Sequence, residues 1–447
     1  MEGGVPSWKD VPPVSTAETS RDTPPGAAPQ GLAPHDLADD LLIDAEADET
    51  PPPPVPAKAG WLLIMALVLI AINLRPALSS LAPVLKEVIA DTGLSAAGAS
   101  LLTTAPVVCL GLFGMLAPWL GRRLGTERAV LALLLVLAVG IALRGLGTVP
   151  ALMVGSILAG AGIGVTNVLL PGIVKRDFPD KAALMTGVYT MALCAGAAAA
   201  AGTTLPLAEA WGGSWAGALA FWLVPAVVAA AVWLTQIPRR DGPARHAGFT
   251  VTGVWTSRLA WQVTLFMGLQ SSLAYTVFGW LAPILRDRGI DGVTAGVMVS
   301  ASIMVQVAAA LVSPSLATRG RDQRPAAVLC MVFSVAGLWG CIFAPLGTIW
   351  LWVVLLGIGQ GAAFAIALTI IVLRSKDAHA AAHLSSMSQG VGYTLASGGP
   401  LLTGLLHDWT GGWAAAGILV AAIGTAAAIA GLGAGRNLLV PAVVTRR

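Results

Sequence analysis

Arg75 lies within an otherwise hydrophobic run, WLLIMALVLIAINLRPALSSLAP, from Trp61 to Pro83. A charge at that depth costs several kcal/mol even on lenient insertion scales, and such residues face a protein interior or a water-filled path. The guanidinium stays protonated at any working pH. It offers planar, paired donors suited to a planar anionic acceptor such as a carboxylate. Pro76 removes the next helix hydrogen bond and frees the carbonyl of Ile72, and Asn73 adds an amide two residues before the arginine. Charge, helix break and amide together mark the first place to look for a bound solute.

The acids sharpen that chemistry. Of the 23 Asp and Glu residues, 11 fall in the first 58 positions. The other 12 are Glu87, Asp91, Glu127, Asp177, Asp180, Glu209, Asp241, Asp287, Asp291, Asp322, Asp377 and Asp408, all in loops or at the ends of hydrophobic runs. An intramembrane acid that exchanges a cation for a proton is the usual device of proton-driven cation export. Its absence argues against that mechanism, and Arg75 would repel a cation. If protons are coupled, the carrier is the solute itself or a histidine such as His383.

The elements that must position Arg75 are membrane helices. The chain has 447 residues, 56% hydrophobic and 11% charged, a balance foreign to soluble domains. Hydrophobic runs near the roughly 20 residues that cross a bilayer occur at about 60–82, 97–118, 128–147, 150–173, 183–206, 214–236, 260–284, 293–316, 325–344, 348–373, 384–406 and 412–434, here spans 1 to 12. With the N-terminus placed inside, 21 basic residues fall in the tails and inner loops. Only Lys86, Arg286 and Arg288 fall outside, and Arg75 and Arg144 lie within spans. Basic residues stay on the cytoplasmic side, so a multi-pass protein of the cell membrane with both termini cytoplasmic is expected. Residues 1–58 are acidic and Pro-rich and cannot bury a core. They also lack the pattern of a signal peptide and are read as a disordered cytoplasmic tail. Cys109, Cys194, Cys330 and Cys341 all lie in spans without metal-ligand spacing and read as packing residues. The net charge of +3 reflects the inner loops and implies no nucleic-acid partner.

The chain repeats itself at about 200 residues. Leu81-Ala-Pro-Val-Leu-Lys-Glu87 recurs as Leu281-Ala-Pro-Ile-Leu-Arg-Asp287, and Gly114-Met-Leu-Ala-Pro-Trp-Leu-Gly-Arg-Arg123 as Ala310-Leu-Val-Ser-Pro-Ser-Leu-Ala-Thr-Arg319. Gly160, Gly162 and Gly164 recur as Gly357, Gly359 and Gly361, and Tyr189-Thr190 as Tyr393-Thr394. Every match shifts the span number by six. The expected fold is an all-α integral membrane protein, twelve transmembrane helices in two pseudo-symmetric six-helix bundles over 59–236 and 259–435. A cytoplasmic linker at 237–258 joins them, and 436–447 form the C-terminal tail.

A six-plus-six repeat with both termini inside resembles the major facilitator superfamily. The resemblance extends to the superfamily's loop motif after span 2, in which Gly114, Gly121, Arg122 and Arg123 are in register. Pro118 and Trp119 replace its Asp and first basic residue, which weakens the usual charge-pair account of the inner gate. Asn73-Leu-Arg-Pro76, Leu143-Arg-Gly145 and Thr166-Asn-Val-Leu-Leu-Pro-Gly172 with Lys175-Arg-Asp-Phe-Pro179 resemble the cyanate permease and nitroimidazole transporter family. The resemblance implies a cavity lined by spans 1, 2, 4, 5, 7, 8, 10 and 11, with 3, 6, 9 and 12 outside. It also implies alternating access, with cyanate and nitroimidazole as solutes of the family.

Polar side chains avoid lipid, and their placement agrees with that cavity. Mid-span amides are Asn73, Asn167, Gln270, Gln306, Gln360 and Gln389, and the three tyrosines are Tyr189, Tyr275 and Tyr393. Each has a plain structural alternative, an interhelical hydrogen bond worth about 1 kcal/mol. For Gln306 and Gln360 the two readings weigh equally. The expected substrate site comprises Arg75, Asn73, Asn167, Tyr189, Gln270, Tyr275, Gln360, Gln389 and Tyr393. Arg144, near an outer end, reads as structural or gating, beside the loop-motif residues. Gly160-Ala-Gly-Ile-Gly164 is no nucleotide loop, because it sits in an apolar span without a preceding strand. With no Walker sequence anywhere, ATP-driven transport is disfavoured.

The expected function is therefore a monomeric secondary transporter of a small anionic or nitro-bearing solute. It is not an enzyme, needs no cofactor or metal, and has the proton as one possible coupling ion. The alternatives are an exporter of neutral hydrophobic compounds with Arg75 locked in a structural network, and a non-transporting membrane sensor.

Overall fold

The computed structural model describes residues 57–178, 181–237, 249–376 and 378–446. The expected tail before residue 57 and linker residues 238–248 lie outside them. Eleven helical stretches among the described residues are long and apolar enough to cross a membrane. Span 11 is helical over Ala378–Ala396 and Gly398–Thr410 but is more polar, carrying His383, Ser385, Ser386, Ser388, Gln389, Tyr393 and Thr394. Its break at Ser397 follows from Pro400, which has no N–H for the carbonyl of Ala396. With it the helices form the twelve-span fold.

Prolines also divide span 1. Helix Ala57–Asn73 gives way to a short helix Pro76–Ser79, a 3₁₀ turn Ala82–Val84 and helix Leu85–Thr92. Arg75 sits at the first break, near the middle of this stretch. Span 5 closes on the carbonyl that Pro76 frees: a Cβ on Gly196 would lie 2.0 Å from the oxygen of Ile72.

Span 1 packs on 5, 2 on 4, 3 on 4, 3 on 6 and 1 on 6; the second bundle repeats each pairing six spans later, as 7 on 11, 8 on 10, 9 on 10, 9 on 12 and 7 on 12. Between bundles, span 5 packs on 8 and span 2 on 11. Small residues let membrane helices approach closely, and the repeated glycines do so in both halves. A Cβ on Gly164 would lie 2.5 Å from the Leu110 carbonyl oxygen, and one on Gly361 would lie 2.2 Å from that of Gln306. A Gly361→Ala substitution must push spans 8 and 10 apart, an overpacking cost of about 1–3 kcal/mol. A fall of several degrees in the unfolding temperature of the detergent-purified protein is expected.

The ends of the bundle differ. On the face without the basic loops, the repeated dipeptides Lys86-Glu87 and Arg286-Asp287 pair crosswise between the bundles. Arg286 donates to both carboxylate oxygens of Glu87, at 2.9 and 2.6 Å, and to the Pro83 carbonyl at 2.9 Å. Lys86 lies 2.6 Å from Asp287. Among the described residues no ion pair joins the bundles on the basic face. There Arg176 bridges Glu127 and Asp177 within the first bundle. The hydrogen bond to Asp177, with both acids' charges, raises the guanidinium's pKa.

The basic face also holds two strands where the sequence predicts only a linker and a C-terminal tail. Phe249–Thr252 (β1) and Val443–Arg446 (β2) pair antiparallel, Phe249 opposite Arg446 and Thr252 opposite Val443. Both segments are rich in β-branched residues, which suit strands. Beside them Arg374 is buried, its guanidinium donating to Gln323 Oε1, to Asn437 Oδ1 and to the carbonyls of Ala434 and Gly435 that end span 12.

Candidate functional site

The break at Arg75 places its guanidinium where spans 1, 5, 7 and 11 meet. It lies close to Tyr275, Tyr393 and Cys194. Its Cζ sits 5.9 Å from the centroid of the Phe278 ring, within cation–π range. Tyr275 and Tyr393 are both buried and meet edge to face, centroids 6.1 Å apart at 83°. The Tyr393 hydroxyl donates to Gln389 Oε1 at 3.4 Å, and Gln389 Nε2 donates to Ser385 Oγ at 2.7 Å. Tyr189 is half-buried and lies near Tyr393. Among the described residues no carboxylate pairs with Arg75. Four of the expected residues, Arg75, Tyr275, Tyr393 and Gln389, thus form one connected group spanning both bundles, with Tyr189 beside it.

Other expected site residues lie elsewhere. Asn73 is 1% exposed and turned toward span 6: its Nδ2 donates to the carbonyls of Leu69 at 2.7 Å and Pro225 at 3.0 Å. Both amide hydrogens are therefore used, one within span 1 and one in a tie to span 6, two residues around the helix from Arg75. Gln270 is likewise satisfied locally, donating to Ser271 Oγ at 2.7 Å and to the Met267 carbonyl at 3.2 Å. Asn167 is half-buried and makes no side-chain hydrogen bond among the described residues. Gln360 is 4% exposed with neither side-chain end hydrogen-bonded, and nearby on span 8 Gln306 Nε2 and Ser302 Oγ are also unpartnered. For Asn73→Ala, loss of the span 6 tie costs about 0.6–2 kcal/mol. Thermal stability is expected to fall while the KM for transported solute stays within twofold of wild type.

Two further residues, Phe278 and Cys194, touch the group. Phe278 lies three residues after Tyr275, a spacing that puts both on one helix face, so the signal was present. Cys194 carried no such signal; only the approach of span 5 at Gly196 brings it to Arg75.

The loop motif is altered in shape as well as in charge. Span 2 breaks after Gly114, whose carbonyl loses its N–H partner to Pro118, and resumes as helix Ala117–Leu124. Gly114 packs on the carbonyl of Gly164, and Gly121 on Leu169. Arg123 lies over the Trp119 ring, 5.2 Å from its centroid. The Arg122 side chain lies outside the described residues.

The sequence profile of the Major Facilitator Superfamily matches residues 62–321 and 264–436. This chain belongs to the Major Facilitator Superfamily. It is 38% identical to the 2-nitroimidazole transporter of Escherichia coli (strain K12) over 386 residues, 85% of this chain and 97% of that one. It is 30% identical to the cyanate transport protein CynX of the same organism over 352 residues, 78% of this chain and 91% of the relative. The crystal structure of the nucleoside transporter NupG superposes with a TM-score of 0.68, covering 84% of this chain and 100% of that one at 13% identity. That likeness concerns the fold. A superfamily member whose relatives over most of its length are transport proteins is itself a multi-pass transporter of small solutes.

Proposed function

We propose that this superfamily member carries a small anionic or nitro-bearing solute across the cell membrane by alternating access, with both termini cytoplasmic and no chemical change to the solute. The observation that carries this reading is Arg75, a guanidinium without a carboxylate at the junction of spans 1, 5, 7 and 11. A solute with negative charge density supplies the missing counter-charge there, and the planar donors favour a planar acceptor. Tyr275, Tyr393 and Gln389 add neutral donors and acceptors, and Phe278 supplies an apolar wall. 2-Nitroimidazole, the solute named for one relative, presents such an acceptor in its nitro group, and cyanate, named for another, is a small linear anion. The half-buried Tyr189 completes the proposed contact set, whereas Asn73 and Gln270 serve the helices.

The crosswise ion pairs support a second element of the mechanism. They hold the bundles together on the face opposite the basic loops, so the form described here is shut on the extracytoplasmic side. Opening that side requires both pairs to part.

One observation favours a rival reading. The packing of Arg75 beside Tyr275 and over Phe278 gives the guanidinium a structural task that an exporter of neutral compounds could use. Proteoliposome uptake of cyanate, 2-nitroimidazole and a neutral hydrophobic drug decides between them. Uptake of the first two, abolished by Arg75→Ala, is expected; drug transport that persists in Arg75→Ala without any anion uptake would establish the rival.

A further inference from the structure

A second arginine carries no counter-charge. Arg144, the last helical residue of span 3, is 2% exposed. Its stem crosses span 4 at Gly155, where a Cβ would lie 2.9 Å from Arg144 Cγ. Nη1 donates to the Ala77 carbonyl at 2.7 Å, an acceptor left open where span 1 breaks at Ser80. That bond is a structural task, but it uses only one nitrogen. Nε and Nη2 are buried with no hydrogen-bond partner, and among the described residues no acid pairs with the group. Leaving charged donors unpaired in a buried site costs several kcal/mol, so two free donors on one edge of a guanidinium call for an acceptor.

The same carbonyl-bearing residue links Arg144 to the Arg75 group. Ala77 lines a narrow cavity together with Ser156, the neighbour of Gly155, and with Thr103, Tyr275 and Phe278. Tyr275 and Phe278 are the residues that contact Arg75. Ala77 is thus common to the Arg144 hydrogen bond and to the cavity lined by the neighbours of Arg75. In the form described here the cavity has room for about one water molecule, less than a triatomic anion needs.

Resting on the anion-transport reading above, we infer that Arg144 is a second anion-binding station. It receives the solute through its Nε–Nη2 edge on the extracytoplasmic half of the path, when that half opens, and hands it to Arg75. Its ligand class is the same as that of Arg75, a small planar acceptor such as a cyanate or nitro group. The position, beyond the break in span 1 and toward the crosswise ion pairs, makes its contribution one-sided.

Arg144→Lys separates this role from the structural one. Lysine keeps the charge and a donor for the Ala77 carbonyl but lacks the paired edge. In proteoliposomes of defined orientation, the KM for cyanate or 2-nitroimidazole presented from the extracytoplasmic side is expected to rise tenfold or more. KM from the cytoplasmic side and the unfolding temperature should stay close to wild type. Wild-type kinetics from both sides in Arg144→Lys would overturn the inference while leaving the role of Arg75 standing; no uptake of either probe by wild type would overturn both. A measurement on the unmutated chain serves if the variant does not fold. Phenylglyoxal modification of Arg144, read by mass spectrometry, should slow severalfold in the presence of cyanate or 2-nitroimidazole. An unchanged rate at Arg144 beside protection of Arg75 would refute the second station alone.

Discussion

Replacing Arg75 by alanine is expected to abolish cyanate or 2-nitroimidazole uptake, and replacing it by lysine to reduce kcat/KM by about tenfold to a hundredfold. Hydrogen bonds to charged groups contribute about 1.5–3 kcal/mol each, and 1.4 kcal/mol is a factor of ten. Lysine retains the charge but cannot present two parallel donors, so the lysine variant measures the paired geometry and the alanine variant the whole anchor. Arg75 lies beside Tyr275, so part of any loss would come from freeing that ring. Tyr275→Phe isolates this: it removes the hydroxyl, keeps the edge-to-face contact with Tyr393, and is expected to lower kcat/KM less than Arg75→Lys does. Uptake kinetics in proteoliposomes check all three. Unchanged anion uptake in Arg75→Ala would remove Arg75 from the mechanism.

The second large effect concerns the crosswise ion pairs. Neutralising both acids, with Glu87→Gln and Asp287→Asn, should shift the protein toward a form open on the face opposite the basic loops. The Arg286–Glu87 pair is two-pronged and mostly shielded, worth about 1 kcal/mol; the Lys86–Asp287 pair is more than a third exposed and screened, worth about 0.5 kcal/mol. Their sum changes the ratio of closed to open forms by roughly tenfold. Spin labels at Ala90 and Trp409, one on each bundle at that face, should show a longer distance population growing in the double variant. The exchanged pair, Glu87→Arg with Arg286→Glu, should restore the shorter distance. A distance distribution identical to wild type in the double variant would show that the pairs do not hold this face shut.

Much of this was legible in the sequence for definite reasons. A charge in an apolar run is conspicuous, so Arg75 stood out from composition alone. The two halves were readable because their motifs keep order and spacing, and each pairing of spans recurs six spans later. Glycines at equivalent places in spans 4 and 10 foretold close helix contact, since only a missing side chain permits those approaches. Residue type could not say which way a polar group points. Asn73 and Arg75 are two positions apart, yet the helix turns one toward span 6 and the other toward span 7. Arg374 reads as an ordinary inner-loop charge but is buried on carbonyls that end span 12.

The sequence by itself determined the membrane helices, their repeat and the uncompensated arginine, because hydropathy, spacing and charge are properties of the chain taken locally. Only the tertiary structure decided the partners: Tyr275 and Phe278 for Arg75, Glu87 for Arg286, Ala77 for Arg144. Those contacts join residues from about 67 to 200 positions apart. They depend on how proline breaks re-aim span 1 and on how closely glycines let its neighbours approach. Local pattern carries neither quantity, so which groups meet around each guanidinium is settled only by the assembled helices.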